Sequence, residues 1–189
     1  GGEPIKIDFD EMNIKRIESF EDTFEILSCY LDMIVYRTDS HKKLVTALKY
    51  FNKPIINALS DYSHPCQAIS DIYTLKEHFG FLENISISWF GDMNNVLYSL
   101  CEIIDIFGNI KLNIFTDNLI YQEKKNIFNF ENINIFYDIN EEVISNTDCF
   151  MTDVYTSMND RDNSKEEKLK KFQVNSNLIN LGKKDAIFM

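Results

Sequence analysis

Ile85-Ser86-Ile87-Ser88-Trp89-Phe90, then Gly91-Asp92-Met93-Asn94-Asn95, then the run from Val96 to Gly108: this stretch decides the fold class. Its first six residues read as an apolar strand and the next five as a turn. Leu97, Leu100, Cys101, Ile104 and Phe107 then recur at the helical period, with Gly108 placed to close the helix. Strand, turn and helix in that order form the unit from which parallel sheets are built.

The same alternation extends outward in both directions. Toward the N-terminus, His64-Pro65 starts a helix whose apolar positions are Ala68, Ile72, Leu75 and Phe79, with Gly80 as its stop. Before it, Pro54 to Leu59 is a short apolar strand. Ser40 is placed to cap a helix with Leu44, Ala47, Leu48 and Phe51 on one face, and Met33 to Val35 is a strand ending in Tyr36-Arg37-Thr38. Ser19 opens a helix with Asp22 as its capping-box partner and Phe20, Phe24, Leu27 and Leu31 as a buried stripe; Ile5 to Phe9 alternates like a strand. Toward the C-terminus, Lys111 to Phe115, Ile133 to Tyr137 and Cys149 to Val154 read as strands, Lys165 to Phe172 as a solvated helix, and Asp185 to Met189 as a last strand. The expectation is an α/β protein with parallel sheets, in two runs joined by the helix at 65–79.

Composition narrows the function. With 44% apolar and 26% charged residues, the chain can bury a real core, and no run of about 18 apolar residues encodes a membrane span. The net charge is -11 and lysines do not cluster, which disfavours nucleic acid as a partner. Arginine is confined to Arg16, Arg37 and Arg161, so a phosphorylated ligand must lean on one of these, on backbone N–H groups or on another chain. Cys29, Cys66, Cys101 and Cys149 are scattered without metal-ligand spacing; no structural zinc and a reducing, cytosolic compartment are expected, with Cys29 and Cys101 in the core. No signal peptide opens the chain, and neither does an initiator Met.

Ligands of parallel α/β folds bind at the C-terminal ends of strands, where Arg37, His64, Asn95 and Asp153 are expected. The turn after Phe90 lacks the G-x-G-x-x-G glycines, which disfavours dinucleotides. Asn94 and Asn95 are either helix caps or amides gripping an amino-acid head group. His64 and Gln67, three apart on a first helical turn, either point at a carbonyl oxygen or serve as a cap and an exposed amide. Asp153, with Ser157 four residues on, suits an ammonium-bearing substrate or is simply a polar turn. His41 and His78 are expected to be exposed and carry no role.

Together these segments resemble the ornithine carbamoyltransferases. His64-Pro65-Cys66-Gln67 is similar to their H-P-x-Q helix, Gly91-Asp92-Met93-Asn94-Asn95 to G-D-x-N-N, and Asp153-Val154-Tyr155-Thr156-Ser157-Met158 to D-V-W-x-S-M-G. Gln173-Val174-Asn175 and Gly1-Gly2 match further tracts of the family. H-P-x-Q is shared with aspartate carbamoyltransferase; the S-M loop favours ornithine. Tyr155 stands where the family has tryptophan and Asn159 where it has glycine.

The resemblance implies two Rossmann-like parallel-sheet domains joined by a helix, both incomplete in this chain. These would be a carbamoyl-phosphate-binding part at 1–63, the joining helix at 64–80 and an ornithine-binding part at 81–189. The S-T-R-T-R motif expected upstream and the H-C-L-P segment expected downstream are missing, so the chain resembles an internal fragment, expected to be inactive alone. Carried over, Arg37, His64, Pro65, Cys66 and Gln67 bind carbamoyl phosphate, with Arg37 and His64 catalytic. Asn95, Asp153, Ser157 and Met158 bind ornithine. The implied reaction is attack of the ornithine δ-amine on the carbamoyl carbon, giving citrulline and phosphate without metal or organic cofactor, in a cytoplasmic homotrimer. The alternatives are a carbamoyltransferase for another amine or amino acid, and an inactive relative serving binding or assembly.

Overall fold

The computed structural model describes residues 2–7, 18–155 and 163–189. They fall into two compact units, Gly1–Asp61 and Tyr62–Met189, so the long helix after His64 belongs to the second.

The first unit alternates helix and strand: α1 (Phe20–Tyr30), β1 (Ile34–Arg37), α2 (His41–Tyr50) and β2 (Ile55–Leu59). β1 and β2 pair in parallel, Ile34 opposite Ile55, with a register shift between Tyr36 and Arg37. Phe24, Tyr36, Leu44, Ala47 and Phe51 form the core. The Phe24 and Tyr36 rings meet edge to face at 5.5 Å, an arrangement the aromatic quadrupole favours. Ser19 Oγ caps α1 by accepting from Asp22 N at 3.0 Å.

Four expectations for this unit fail. Residues 5–7 form no strand, and 8–9 lie outside the described residues. Ser40 makes no side-chain cap; Thr38 Oγ1 accepts from Ser40 N instead. Leu48 is 55% exposed, because the face of α2 that meets α1 is centred on Leu44 and Ala47. Cys29 is exposed, since α1 turns Phe24 and Ser28 inward.

The second unit begins with α3 (Pro65–Phe79), whose Pro65 sits in the first turn and whose Gly80 closes it at φ 76°, a left-handed position that favours glycine. There follow β3 (Ser86–Phe90), α4 (Asn95–Phe107), β4 (Lys111–Phe115), α5 (Asn118–Lys124), β5 (Ile133–Phe136), α6 (Glu141–Ile144) and β6 (Cys149–Thr152). After them come α7 (Asn163–Leu169), a 3-10 turn at Lys170–Phe172, α8 (Ser176–Ile179) and β7 (Ile187–Phe188). The five strands pair in parallel in the order β5-β4-β3-β6-β7.

β3 lies at the centre and is buried along its whole length, as a strand covered on both faces must be. Phe136, Phe115, Phe90 and Phe150 stack across neighbouring strands at 5.0, 4.7 and 5.8 Å. Polar side chains hold the register at the strands' opposite end: Asn134 donates to Asn113, Asn113 to Ser86 Oγ, and Ser86 N to Asp148. Phe107, expected in the core, is 47% exposed at the last turn of α4. α5, α6 and α8 went unread in the sequence; with seven, four and four residues they are too short to show a period.

Candidate active site

The strand order of the second unit offers a candidate site. From β3 the chain moves outward through β4 to β5, whereas β6 returns to the other flank of β3. That reversal is a topological switch point, where the loops leaving two adjacent strands diverge and open a crevice. Here the loops are Gly91–Asn95, leaving β3, and the segment from Asp153, leaving β6.

Both loops are tied down where they leave their strands. Thr152 Oγ1 donates to Phe90 O at 2.7 Å, joining the two strand ends. Trp89 Nε1 donates to Asp92 O at 2.9 Å, holding the turn from below. Gly91 has φ 128°, a conformation that favours glycine, and a Cβ there would also press on the Tyr155 ring at 3.3 Å. Asp92 accepts from Lys165 at 2.6 Å, an ion pair with side chains only 7% and 17% exposed.

Asn94 does two jobs at once. Its Oδ1 accepts from Val96 N and Leu97 N, both at 3.1 Å, capping α4. Its Nδ2 donates to Asp153 Oδ2 at 2.7 Å. Asp153 Oδ1 accepts from Val154 N at 2.7 Å, so the carboxylate is held at both oxygens. The cap reading of the Asn94-Asn95 pair therefore holds for Asn94, while Asn95 is the half-buried first residue of α4.

α3 brings the second cluster. His64 occupies its N-cap position without a side-chain cap; its backbone N–H donates to Ser99 Oγ of α4 at 2.8 Å. Gln67 N donates to His64 O at 3.1 Å, closing the first turn, with Pro65 half-buried and Cys66 exposed. Gln67 is exposed, but its Nε2 donates to Asp71 Oδ1 at 2.8 Å. Asp71 is only 4% exposed, and burial pushes its carboxyl above the ordinary range; the Gln67 bond opposes this and the neighbouring Asp153 charge adds to it.

In the first unit, Arg37 ends β1 and is exposed; among the described residues no carboxylate pairs with it. Thr38 N donates to Leu59 O at 2.9 Å, which continues the strand pairing just past Arg37. His41, expected to be exposed, is half-buried: its Nδ1 lies 2.9 Å from Ser60 Oγ and its N–H donates to Asp61 at 2.5 Å. His78 is exposed, as expected. Ser157 and Met158, like Asn159, lie outside the described residues.

Of the singled-out residues, then, the structure brings His64 and Gln67 onto one turn, and Asp153 against Asn94. Asp71 and Lys165 were missed. Asp71 had a legible signal, a carboxylate four residues after Gln67 on the stripe of Ala68, Ile72 and Leu75.

Residues 1–77 match the domain family described as aspartate/ornithine carbamoyltransferase, carbamoyl-P binding domain, and residues 83–189 its Asp/Orn binding domain. An ornithine carbamoyltransferase of Rhodopseudomonas palustris is 37% identical over 193 residues, covering 100% of this chain and 62% of that protein. One from Methanococcus vannielii is 36% identical, covering 100% and 65%. The chain thus spans less than two thirds of the length of these relatives. Among solved structures, ornithine carbamoyltransferase from Thermus thermophilus superposes with a TM-score of 0.80 at 28% identity, over 96% of this chain and 60% of that one.

Proposed function

The chain belongs to the aspartate/ornithine carbamoyltransferase family, and from that premise we propose that the protein carbamoylates the δ-amine of L-ornithine, giving L-citrulline and phosphate. The observation that carries the choice of ornithine is the Asp153 carboxylate, held by Asn94 at the topological switch point. A fixed negative charge there attracts an ammonium-bearing substrate and repels one with a second carboxylate such as aspartate.

In this reading Arg37, His64, Pro65, Cys66 and Gln67 bind carbamoyl phosphate. Asn95, Asp153, Ser157 and Met158 bind ornithine. The amine attacks as the neutral species: its lone pair forms the new C–N bond, the C–O bond to phosphate breaks, and the amine proton leaves with the phosphate. Arg37 and His64 donate toward the negative charge that develops on the substrate, in the manner of other preorganised donors. Asp153 holds the ammonium form, so it binds the substrate at the cost of a higher pH for attack. The free cysteines accord with a reducing cytoplasm, and the family resemblance with a homotrimer.

The test is carbamoyl transfer by the full-length protein to ornithine, putrescine and aspartate in parallel. Citrulline formation well above the other two products is expected; preferential carbamoylation of aspartate or putrescine would overturn the reading. Arg37→Ala should then lower kcat/KM for carbamoyl phosphate about tenfold to a hundredfold, the worth of one charge-assisted hydrogen bond.

A further inference from the structure

Gln67 presents its amide at the start of α3 with one end already occupied. Nε2 donates to Asp71 Oδ1 at 2.8 Å across one helical turn, and Asp71 is buried beneath it. A side-chain amide has a donor end and an acceptor end of nearly equal shape, so its orientation must be set by its surroundings. Asp71 Oδ1 accepts from Gln67 Nε2, which leaves Oε1 as the end of the amide open to a ligand. Asp71 itself cannot easily swing away: it belongs to a continuous helix, between Ala68, Ile72 and Leu75, all of which are buried.

We propose that Asp71 is a positioning residue that locks the Gln67 amide with Oε1 outward, making this turn an acceptor selective for an acyl phosphate bearing an N–H donor. The proposal rests on the carbamoyl-transfer reading above and adds the source of its acyl selectivity. A carbamoyl group supplies an NH2 for Oε1 to accept; an acetyl group of the same shape supplies only a methyl and leaves that oxygen without its bond. Sites built around one such hydrogen bond reject the analogue lacking it. Without Asp71, Gln67 is free to rotate or to turn its NH2 outward, and must be ordered anew each time substrate binds.

The experiment uses the full-length protein and three probes: KM for carbamoyl phosphate, and inhibition constants for acetyl phosphate and inorganic phosphate. Asp71→Leu, which keeps the branched shape and removes the acceptor, is expected to raise KM for carbamoyl phosphate about tenfold, the effect of re-ordering one glutamine side chain. The constants for acetyl phosphate and phosphate should stay within about twofold, because neither ligand uses Oε1. Asp71→Asn, whose own amide can turn either its acceptor or its donor toward Gln67, should recover only part of the discrimination. A merely structural role would move all three constants together, and that result overturns the proposal, as does full discrimination in Asp71→Leu. If Asp71→Leu fails to fold, the Gln67 side-chain NH2 resonances of the unliganded wild type decide, assigned by their loss in Gln67→Ala. A pair of shifts displaced from the random-coil pair supports the locked amide, and random-coil shifts overturn it. A wild type that binds acetyl phosphate as tightly as carbamoyl phosphate also overturns the proposal, whereas one that forms no citrulline from ornithine refutes the function proposed above.

Discussion

Replacing Asn94 separates the two tasks it performs. Asn94→Ala removes the acceptor for Val96 N and Leu97 N together with the donor to Asp153 Oδ2. Loss of an N-cap costs about 1 kcal/mol, and a hydrogen bond to a charged group is worth about 1.5–3 kcal/mol. Since Asn94 and Asp153 are half-buried and water partly replaces both interactions, the lower ends apply: a loss of about 2–3 kcal/mol at pH 7. Asn94→Asp keeps the cap, for which Asp is as good as Asn, but sets a second carboxylate against Asp153. Two carboxylates in contact bind a proton more tightly folded than unfolded, so at least one of them is raised above the unfolded value of about 3.9. A raised folded value means stability falls as pH rises, so the deficit of Asn94→Asp is full above the raised value and vanishes below about pH 3.9. Urea unfolding followed by Trp89 fluorescence measures both variants from about pH 3.5 to 8; this tryptophan, unique in the chain, is buried and bonded to Asp92 O under the same turn. A loss below about 0.5 kcal/mol for Asn94→Ala would mean that neither bond is an appreciable stabiliser. A pH-independent deficit for Asn94→Asp would refute the assigned contact with Asp153.

Lys165→Met leaves the nearly buried Asp92 without its cation and should destabilise the protein by about 3–5 kcal/mol in the same assay, with Asp92→Asn in the double variant restoring much of the loss. Asp71→Asn should be more stable than wild type at pH 7: burial raises the wild-type carboxyl, so the folded state loses stability as pH climbs above the unfolded value, and the advantage should fade as pH falls toward about 4. Thiol titration of the native protein at pH 8 should label Cys29 and Cys66, which are exposed, and spare buried Cys101 and Cys149 until urea is added. Burial, with the Asp71 and Asp148 charges, pushes Cys149 up to about 12.

Local rules sufficed wherever an element carries its own signal. The strand at Ser86–Phe90 and the one at Lys111–Phe115 match their apolar runs to within a residue, and Pro65 and Gly80 bound α3 because both act on backbone dihedrals that no distant contact overrides. Position at strand ends also pointed to Asp153 and to the turn at Asn94-Asn95 before any contact was known. Exposure was less legible. Leu48, Cys29 and Phe107 keep an apolar period yet face outward, because periodicity marks a face and only the packing partner decides how wide a face is covered.

The contacts at the candidate site come from tertiary structure. Nothing in the spacing of Asn94 and Asp153, 59 residues apart, says that they bond; the strand order does, by seating β6 beside β3 instead of beyond β5. Asp71 lies four residues from Gln67 in any helix, but its role depends on burial, which comes from the elements packed around α3. Backbone geometry is local and written residue by residue, whereas desolvation and charge pairing depend on what the rest of the chain brings near, so the elements were readable in the sequence and the acceptor or donor sense of each site residue arose only on folding.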